Sequence, residues 1–244
     1  MFVEVLDIDP LVNFFDVIYN DSVEVNLKFS PENLKISLLN KGNVSFYNLE
    51  IGKDFFGEYL VDEVEEIPVY VEDLYKILKS ATKDDVLYLE SNENYLICRF
   101  EHDNNRRVFE LPISYDYADI PTMPAIDYEG TFDILIDDIR QPSIDLDKIV
   151  KTNKFKIRTS ESMMNIVAPL DAMTKYIQQV HIDSDVECVV IVDNKYIREL
   201  YKLSKINKVV TLSIGNSMPL SWNIISPDKL VSVTGLIAPI IEEE

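Results

Sequence analysis

The chain has 244 residues, with 23 Lys and Arg against 43 Asp and Glu, for a formal net charge of −20 at pH 7. That length allows one or two domains with a sizeable core, and 47% hydrophobic with 27% charged residues excludes a disordered chain. No apolar run approaches the roughly 20 residues of a membrane helix, Met1-Phe2-Val3-Glu4-Val5 lacks a signal peptide's basic start and apolar stretch, and Cys98 and Cys188 are too few for a disulfide scaffold and point to a reducing compartment. Two histidines, His102 and His181, exclude a histidine-based zinc site.

In chain order, the pattern predicts a helix over Pro10–Tyr19, then a strand over Val23–Phe29 (VEVNLKF), whose apolar and polar residues alternate. Strands continue at Leu34–Leu39, Val44–Ile51 and Ile67–Val71, with turn residues Ser30-Pro31-Glu32-Asn33 and Asn40-Lys41-Gly42-Asn43 between them. A helix over Glu72–Thr82 leads into strands Val86–Glu90, Tyr95–Phe100 and Val108–Ile113. The stretch 114–128 holds two prolines and three acids before Tyr128, which deny it helix or central strand, so it reads as an extended connector. Tyr115, Tyr117, Ile120 and Met123 would either pin it to its own surface or make it one wall of a binding groove. Beyond it come strands Phe132–Ile136, Phe155–Thr159, Met164–Ala168, Thr174–Val180 and Glu187–Val192, with a helix near Ile139–Val150 interrupted by Pro142. A helix over Asn194–Ile206 precedes strands Val209–Ile214, Leu220–Ile225 and Leu230–Ile237.

This order repeats. Leu74-Tyr75-Lys76-Ile77-Leu78, a strand and a polar turn recur as Leu200-Tyr201-Lys202-Leu203, a strand and Gly215-Asn216-Ser217. Either two amphipathic helices happen to resemble each other, or the chain holds two copies of one supersecondary plan. The second reading gives an α+β protein of two similar domains, 1–113 and 129–244, joined by the connector 114–128.

A net charge of −20 repels polyanions unless the cations are gathered on one surface. Leu74, Ile77, Leu78 and Ala81 form one face of the second helix, and Lys76, Lys79 and Lys83 fall on another. On the last helix Ile197, Leu200, Tyr201 and Ser204 are expected to face inward, with Lys195, Arg198, Lys202 and Lys205 in a separate row and Lys208 after them. The windows 76–83 and 195–208 hold eight of the 23 basic residues and one acid, Glu199. A solvated helix face explains one such row. Two equivalent rows, expected to lack Glu-to-Lys partners four residues apart, point equally to a phosphate backbone contacted without base readout.

Catalytic patterns are absent from the sequence. The glycines form no phosphate-binding loop, no GxSxG elbow occurs, and Cys98 and Cys188 sit on apolar strand patterns. Acid pairs such as Asp137/Asp138 and Asp183/Asp185 are expected among 43 acids. The reading is therefore of a non-enzyme without metal or other cofactor, with a metal hydrolase as a remote alternative.

Val210-Thr211-Leu212-Ser213-Ile214-Gly215-Asn216-Ser217-Met218-Pro219-Leu220 and the ending Leu236-Ile237-Ala238-Pro239-Ile240-Ile241-Glu242 resemble the last hairpin and tail of the sliding clamp PCNA. Met1-Phe2, the Asp73-Leu74-x-x-Ile77-Leu78-Lys79 helix and Ile120-Pro121 are similar to the same family. The resemblance implies a DNA-clamp fold, helices on one face of antiparallel sheets, and a closed ring of three subunits around duplex DNA that tethers polymerase and other replication and repair enzymes. A DNA-independent acidic scaffold, or a divergent clamp-like accessory subunit, is the alternative. The resemblance implies DNA-facing Lys76, Lys79, Lys83, Arg140, Lys148, Lys151, Lys195, Arg198, Lys202, Lys205 and Lys208. It implies a groove for partner peptides at Leu39, Val44, Ile120, Pro121, Met123, Pro219, Leu236, Ile237, Ala238 and Pro239. Ring closure would pair Arg107, Phe109 and Leu111 with Tyr176, Gln178 and Val180 of a neighbour, either the same chain or a paralogous subunit. The implied partners are sequence-independent double-stranded DNA, polymerase, a clamp loader and enzymes carrying clamp-binding peptides, with no membrane. The implied location is the cytoplasm with the nucleoid in an archaeon, or the nucleus in a eukaryote or virus. One departure is that the first helix carries Asp16 and no basic residue.

Overall fold

The computed structural model describes residues 1–114, 122–170 and 174–241. The chain divides into two compact units, Met1–Thr122 with Ile225–Val233, and Met123–Ile224 with Thr234–Glu244. The connector residues Tyr115, Tyr117, Ile120 and Pro121 lie outside the described residues, and 122–128 form neither helix nor strand.

In the first unit the elements are β1 (Phe2–Val5), α1 (Asp9–Ile18), β2 (Glu24–Phe29), β3 (Asn33–Leu39), β4 (Ser45–Gly52), β5 (Glu58–Leu60), β6 (Glu65–Tyr70), α2 (Val71–Lys79), β7 (Val86–Ser91), β8 (Tyr95–His102) and β9 (Asn105–Pro112). One antiparallel sheet runs β5-β1-β7-β8-β9, and four further strands run β4-β3-β2-β6. Alternation in β2 and β3 turns Val25, Leu27, Leu34 and Ile36 into the core, where Phe14 and Phe15 of α1 also lie. Pro10 sits in the first turn of α1, where its missing N–H costs nothing.

In the second unit the elements are β10 (Gly130–Leu135), α3 (Ile136–Asp145), β11 (Lys154–Ser160), β12 (Met163–Pro169), β13 (Lys175–His181), β14 (Cys188–Asp193), α4 (Asn194–Leu200), β15 (Val209–Ile214), β16 (Leu220–Ile225) and β17 (Val231–Ile237). A four-stranded sheet runs β13-β12-β11-β14, and β10-β15-β16-β17 follow one another. The residues around the β16–β17 turn, Ile225–Val233, count with the first unit.

The repeat is real at the level of pairing. β1-β7-β8-β9 corresponds to β10-β15-β16-β17, and β4-β3-β2-β6 to β13-β12-β11-β14. Register agrees as well: Leu27 faces Ile36 in one unit as Ile157 faces Ile166 in the other. The first unit adds β5 and a 3-10 turn at Lys53–Phe55, and neither they nor β1 were expected from the sequence.

Two helices differ from expectation. α3 starts at Ile136, three residues before the expected start, and Asp138 Oδ2 accepts the Leu135 N–H at 3.3 Å. Pro142 is accommodated inside it, and the helix widens into a π-turn at Leu146–Val150 that ends at Lys151 in the left-handed region (φ 56°). The last helix is α only to Leu200 and tightens to 3-10 over Tyr201–Lys205. At three residues per turn the buried stripe becomes Ile197, Leu200 and Leu203, and Tyr201, expected inside, is 40% exposed.

The single tryptophan, Trp222, is fully buried in the second unit, and β17 passes it at Gly235, where a Cβ would overlap the indole ring. Gly235→Ala is expected to destabilise this unit by about 1–3 kcal/mol. Denaturant titration followed by Trp222 fluorescence measures this, and an unchanged midpoint would refute the close packing.

Candidate nucleic-acid interface

In α2 the acids Glu72 and Asp73 occupy the first turn and Lys76 and Lys79 the last, each the favourable end of the helix dipole. Val71, Leu74 and Leu78 are buried, which leaves Lys76, Lys79 and, just beyond, Lys83 on the exposed face. Ser80 closes the helix by donating from Oγ to Ile77 O at 2.7 Å. Asp85 then holds the following turn, accepting the Thr82 N–H at 2.6 Å and the Thr82 hydroxyl at 2.8 Å. The Arg107 guanidinium from β9 joins the same carboxylate at 2.5 Å and also donates to Ser80 O at 3.0 Å. It therefore ties the sheet edge to the end of the lysine-bearing helix.

α1 packs beside α2 but carries no cation there. The Tyr75 hydroxyl donates to Asp16, and the Tyr19 ring lies 4.7 Å from the Tyr75 ring. Burial, then the hydrogen bond to Asp16, pushes Tyr75 up to about 12. The Lys79 ammonium stands 5.5 Å from the centre of the same ring.

In the second unit Asp193 caps α4, accepting the Lys195 N–H at 2.9 Å, and the buried Asn194 amide donates to Ser143 O of α3 at 2.9 Å. These bonds orient α4 so that Lys195, Arg198 and Lys205 are exposed, with Lys208 just past the 3-10 turn. Lys151, Lys195 and Arg198 line a shallow cleft together with Asp147 and Asp193. Arg140 of α3 stacks its guanidinium 3.6 Å from the centre of the Tyr201 ring. Tyr201 is the repeat partner of Tyr75, so each unit seats a cation on the equivalent tyrosine. Lys148 is exposed on the π-turn.

The expectation that both rows lack acidic partners is wrong. Glu72 meets Lys76 at 2.5 Å, Glu199 meets Lys202, Asp147 meets Arg198 at 2.8 Å, and Asp137 lies 3.9 Å from Arg140. Glu72 is four residues before Lys76, a pairing readable in the sequence but outside the window counted there. The Glu72–Lys76, Asp147–Arg198 and Asp137–Arg140 pairs are exposed, and such pairs contribute little, so a phosphate can replace the carboxylate at small cost, whereas Glu199–Lys202 is half-buried.

The remaining expected site residues fall into separate places. Leu39 is 44% exposed at the end of β3, and Val44 is half-buried after a turn in which Asn40 Oδ1 accepts the Val44 N–H at 2.8 Å. Met123 is exposed, and Pro219, Ala238 and Pro239 are half-buried. Leu236 and Ile237 are buried in β17. β9 and β13 are terminal strands of their sheets. Within β9, Leu111 is buried in its own unit and Phe109 packs edge-on against Phe100 at 6.0 Å, while Arg106, Val108 and Glu110 are exposed. On β13, Gln178 is exposed, Val180 half-buried, and the Tyr176 hydroxyl donates to Asp145 at 3.3 Å.

Both cysteines are buried, and burial pushes the Cys98 thiol up to about 12. Among the described residues no three His, Cys, Asp or Glu side chains gather as a metal site.

A two-unit antiparallel fold with a pair of helices in each unit defines the class of two-domain clamps. Residues 11–122 match the model of the proliferating cell nuclear antigen N-terminal domain, and the chain is similar to PCNA-type clamps. It is 29% identical over 244 residues to the DNA polymerase sliding clamp of Methanothermobacter thermautotrophicus, covering 99% of this chain and 98% of that one. It superposes on a chain of the PCNA2–PCNA3 complex of Sulfolobus tokodaii with a TM-score of 0.87 at 21% identity, covering 99% of this chain and 100% of that one. The proliferating cellular nuclear antigen of Entamoeba histolytica gives a TM-score of 0.87 at 15% identity, covering 98% of each chain.

Asp85 yields a pH prediction. Burial pushes its carboxyl up, but the Thr82 hydrogen bonds and then Arg107 outweigh burial, and its pKa lies below the ordinary 3.8. A group depressed on folding stabilises the native state above its unfolded pKa, and the benefit disappears as pH falls through the folded value. Asp85→Asn is therefore expected to cost about 1–3 kcal/mol at neutral pH and to flatten the acid loss of stability. Thermal melts from about pH 7 to about pH 3 check both; parallel wild-type and variant curves would contradict it.

Proposed function

We propose that this chain is a subunit of a ring-shaped DNA sliding clamp, a processivity factor that encircles duplex DNA and tethers polymerase to it. The observation that carries the reading is the placement of cations. In a chain of net charge −20, Lys195, Arg198, Lys202, Lys205 and Lys208 gather on one short helix and its exit, a stretch whose one acid is Glu199, with Asp147 of the preceding π-turn paired to Arg198. The equivalent helix of the repeat carries Lys76, Lys79 and Lys83. Such groups reach phosphates without reading bases, and weak contacts of this kind let a protein slide.

A closed ring needs no tight grip, because escape requires opening. By holding polymerase beside the primer end, a ring raises the polymerase's effective concentration there. In this reading three subunits, identical or paralogous, close by pairing β9 of one with β13 of the next, which covers two sheet edges that otherwise invite aggregation. Leu39 and Val44 in the first unit, and Met123, Pro219, Ala238 and Pro239 in the second, supply apolar surface for the peptides of polymerase, loader and repair enzymes. The reading assigns the chain no catalytic step.

The two units contribute unequally to DNA contact. α1 presents Asp16 held by Tyr75, whereas α3 and its π-turn add Arg140, Lys148 and Lys151 to the α4 row. Replacing Lys76, Lys79, Lys202 and Lys205 with Glu is expected to abolish stimulation of polymerase on long templates. Single Lys→Ala changes should each lower the salt-dependence slope of DNA binding by about 1. An α4 double variant should weaken binding more than an α2 double variant. Unchanged stimulation by the quadruple variant would favour a DNA-independent scaffold.

A further inference from the structure

We infer that β9 closes on β13 of a second copy of this same chain, in the antiparallel register that sets Val108 opposite Ile177, Glu110 opposite Lys175 and Phe109 opposite Tyr176. The choice of these two strands rests on the clamp reading; the register and the identity of the partner, which that reading leaves identical or paralogous, come from the side chains. β9 and β13 are each the last strand of their sheet, and among the described residues β9 pairs only with β8 and β13 only with β12. A strand with one open edge is a template for another. On β9, Arg107, Phe109 and Leu111 stand opposite the buried Phe100, Cys98 and Leu96 and share their side, which leaves Arg106, Val108 and Glu110 exposed on the outer one. On β13, Tyr176, Gln178 and Val180 stand opposite the buried Ala168, Ile166 and Met164, and Lys175, Ile177 and Gln179 are exposed on the other side. Each outer edge thus offers one apolar side chain between polar ones. Val108, 48% exposed, lies between Arg106 and Glu110, and Ile177, 55% exposed, between Lys175 and Gln179.

A joined sheet keeps the buried sides of its strands together, so slips come in steps of two residues. With Phe109 opposite Tyr176, Val108 meets Ile177, Glu110 meets Lys175, Arg106 meets Gln179 and Arg107 meets Gln178. This gives an aromatic pair inside, an apolar pair outside and an ion pair beside it, the cross-strand combinations that stabilise an antiparallel ladder. A slip one way sets Val108 against Lys175 and Arg106 against Ile177; a slip the other way sets Glu110 against Ile177 and Val108 against Gln179. Each slip lays a charge on an apolar side chain. A parallel arrangement that kept Val108 on Ile177 would set Arg106 against Lys175. The inner side chains make no demand on a foreign subunit. Arg107 already donates to Asp85 and Ser80 O of its own unit, and the Tyr176 hydroxyl to Asp145 of its own. One chain therefore carries both halves of a self-complementary joint, and a head-to-tail ring uses each half once per copy.

The test uses the full chain alone, without DNA or another protein, followed by native mass spectrometry and sedimentation across the micromolar range. The isolated chain is expected to assemble. Glu110→Lys and Lys175→Glu should each weaken assembly by about tenfold or more, and Glu110→Lys/Lys175→Glu, with the charges exchanged between the strands, should recover most of it. Unaltered circular dichroism confirms that each variant is folded. Val108→Cys/Ile177→Cys, oxidised with diamide, should cross-link one chain to the next, because directly opposed strand positions lie within disulfide reach. The offset pair Val108→Cys/Gln179→Cys should not. A chain that stays monomeric at high micromolar concentration would overturn the inference and leave the clamp reading to a paralogous partner. No recovery in the exchanged variant, cross-linking by the offset pair instead of the opposed one, or a cross-link within one chain would also overturn it. Assembly that follows these charges without stimulating polymerase would uphold the joint and refute the processivity reading.

Discussion

An excess of negative charge makes the position of every cation the controlling constraint on this molecule. A chain of net charge −20 approaches a polyphosphate only if its repulsive groups are kept away from the contact. The fold meets that constraint with helix geometry. In α2 the buried residues recur every three or four positions, in α4 Asn194, Ile197 and Leu200 do so with Tyr196 buried beside them, and Lys76, Lys79, Lys195 and Arg198 stay exposed. Carboxylates do stand beside several of them; the pairs of Lys76 and Arg198 are exposed and too weak to hold a cation against a competing phosphate, and that of Lys202 is half-buried.

The same plan, used twice, gives two different surfaces. Pairing order and register agree between the units, yet the residues on equivalent positions do not. Tyr75 gives its hydroxyl to Asp16 of α1, whereas Tyr201 presents its ring to Arg140. On the sheets β2 carries Lys28 paired with Glu66, and the equivalent strand β11 carries Lys154, Lys156 and Arg158. Duplication supplies equivalent positions, and side-chain chemistry divides the work among them.

Much of this was legible in the sequence because its two periods are clear. VEVNLKF alternates and is β2; the row Leu74, Leu78 with its lysines is α2. β1 and β5 were missed because strands of four and three residues are too short to show a period. Tyr201 was placed inside because the expected stripe assumed 3.6 residues per turn, and the helix tightens at that residue. The burial of Leu236 and Ile237 escaped because a family tail motif says nothing of which side each residue takes. Arg107, chosen for an edge, proved to be anchored to Asp85, a contact between residues far apart in the chain that no local pattern reveals.

The central claim is that duplex is held by encirclement and not by affinity. It is tested most directly by loading the protein onto a closed circular duplex and measuring its lifetime there before and after the DNA is cut once. The account predicts long retention on the circle and rapid loss from the ends of the linear form. Equal lifetimes on the two forms would contradict it.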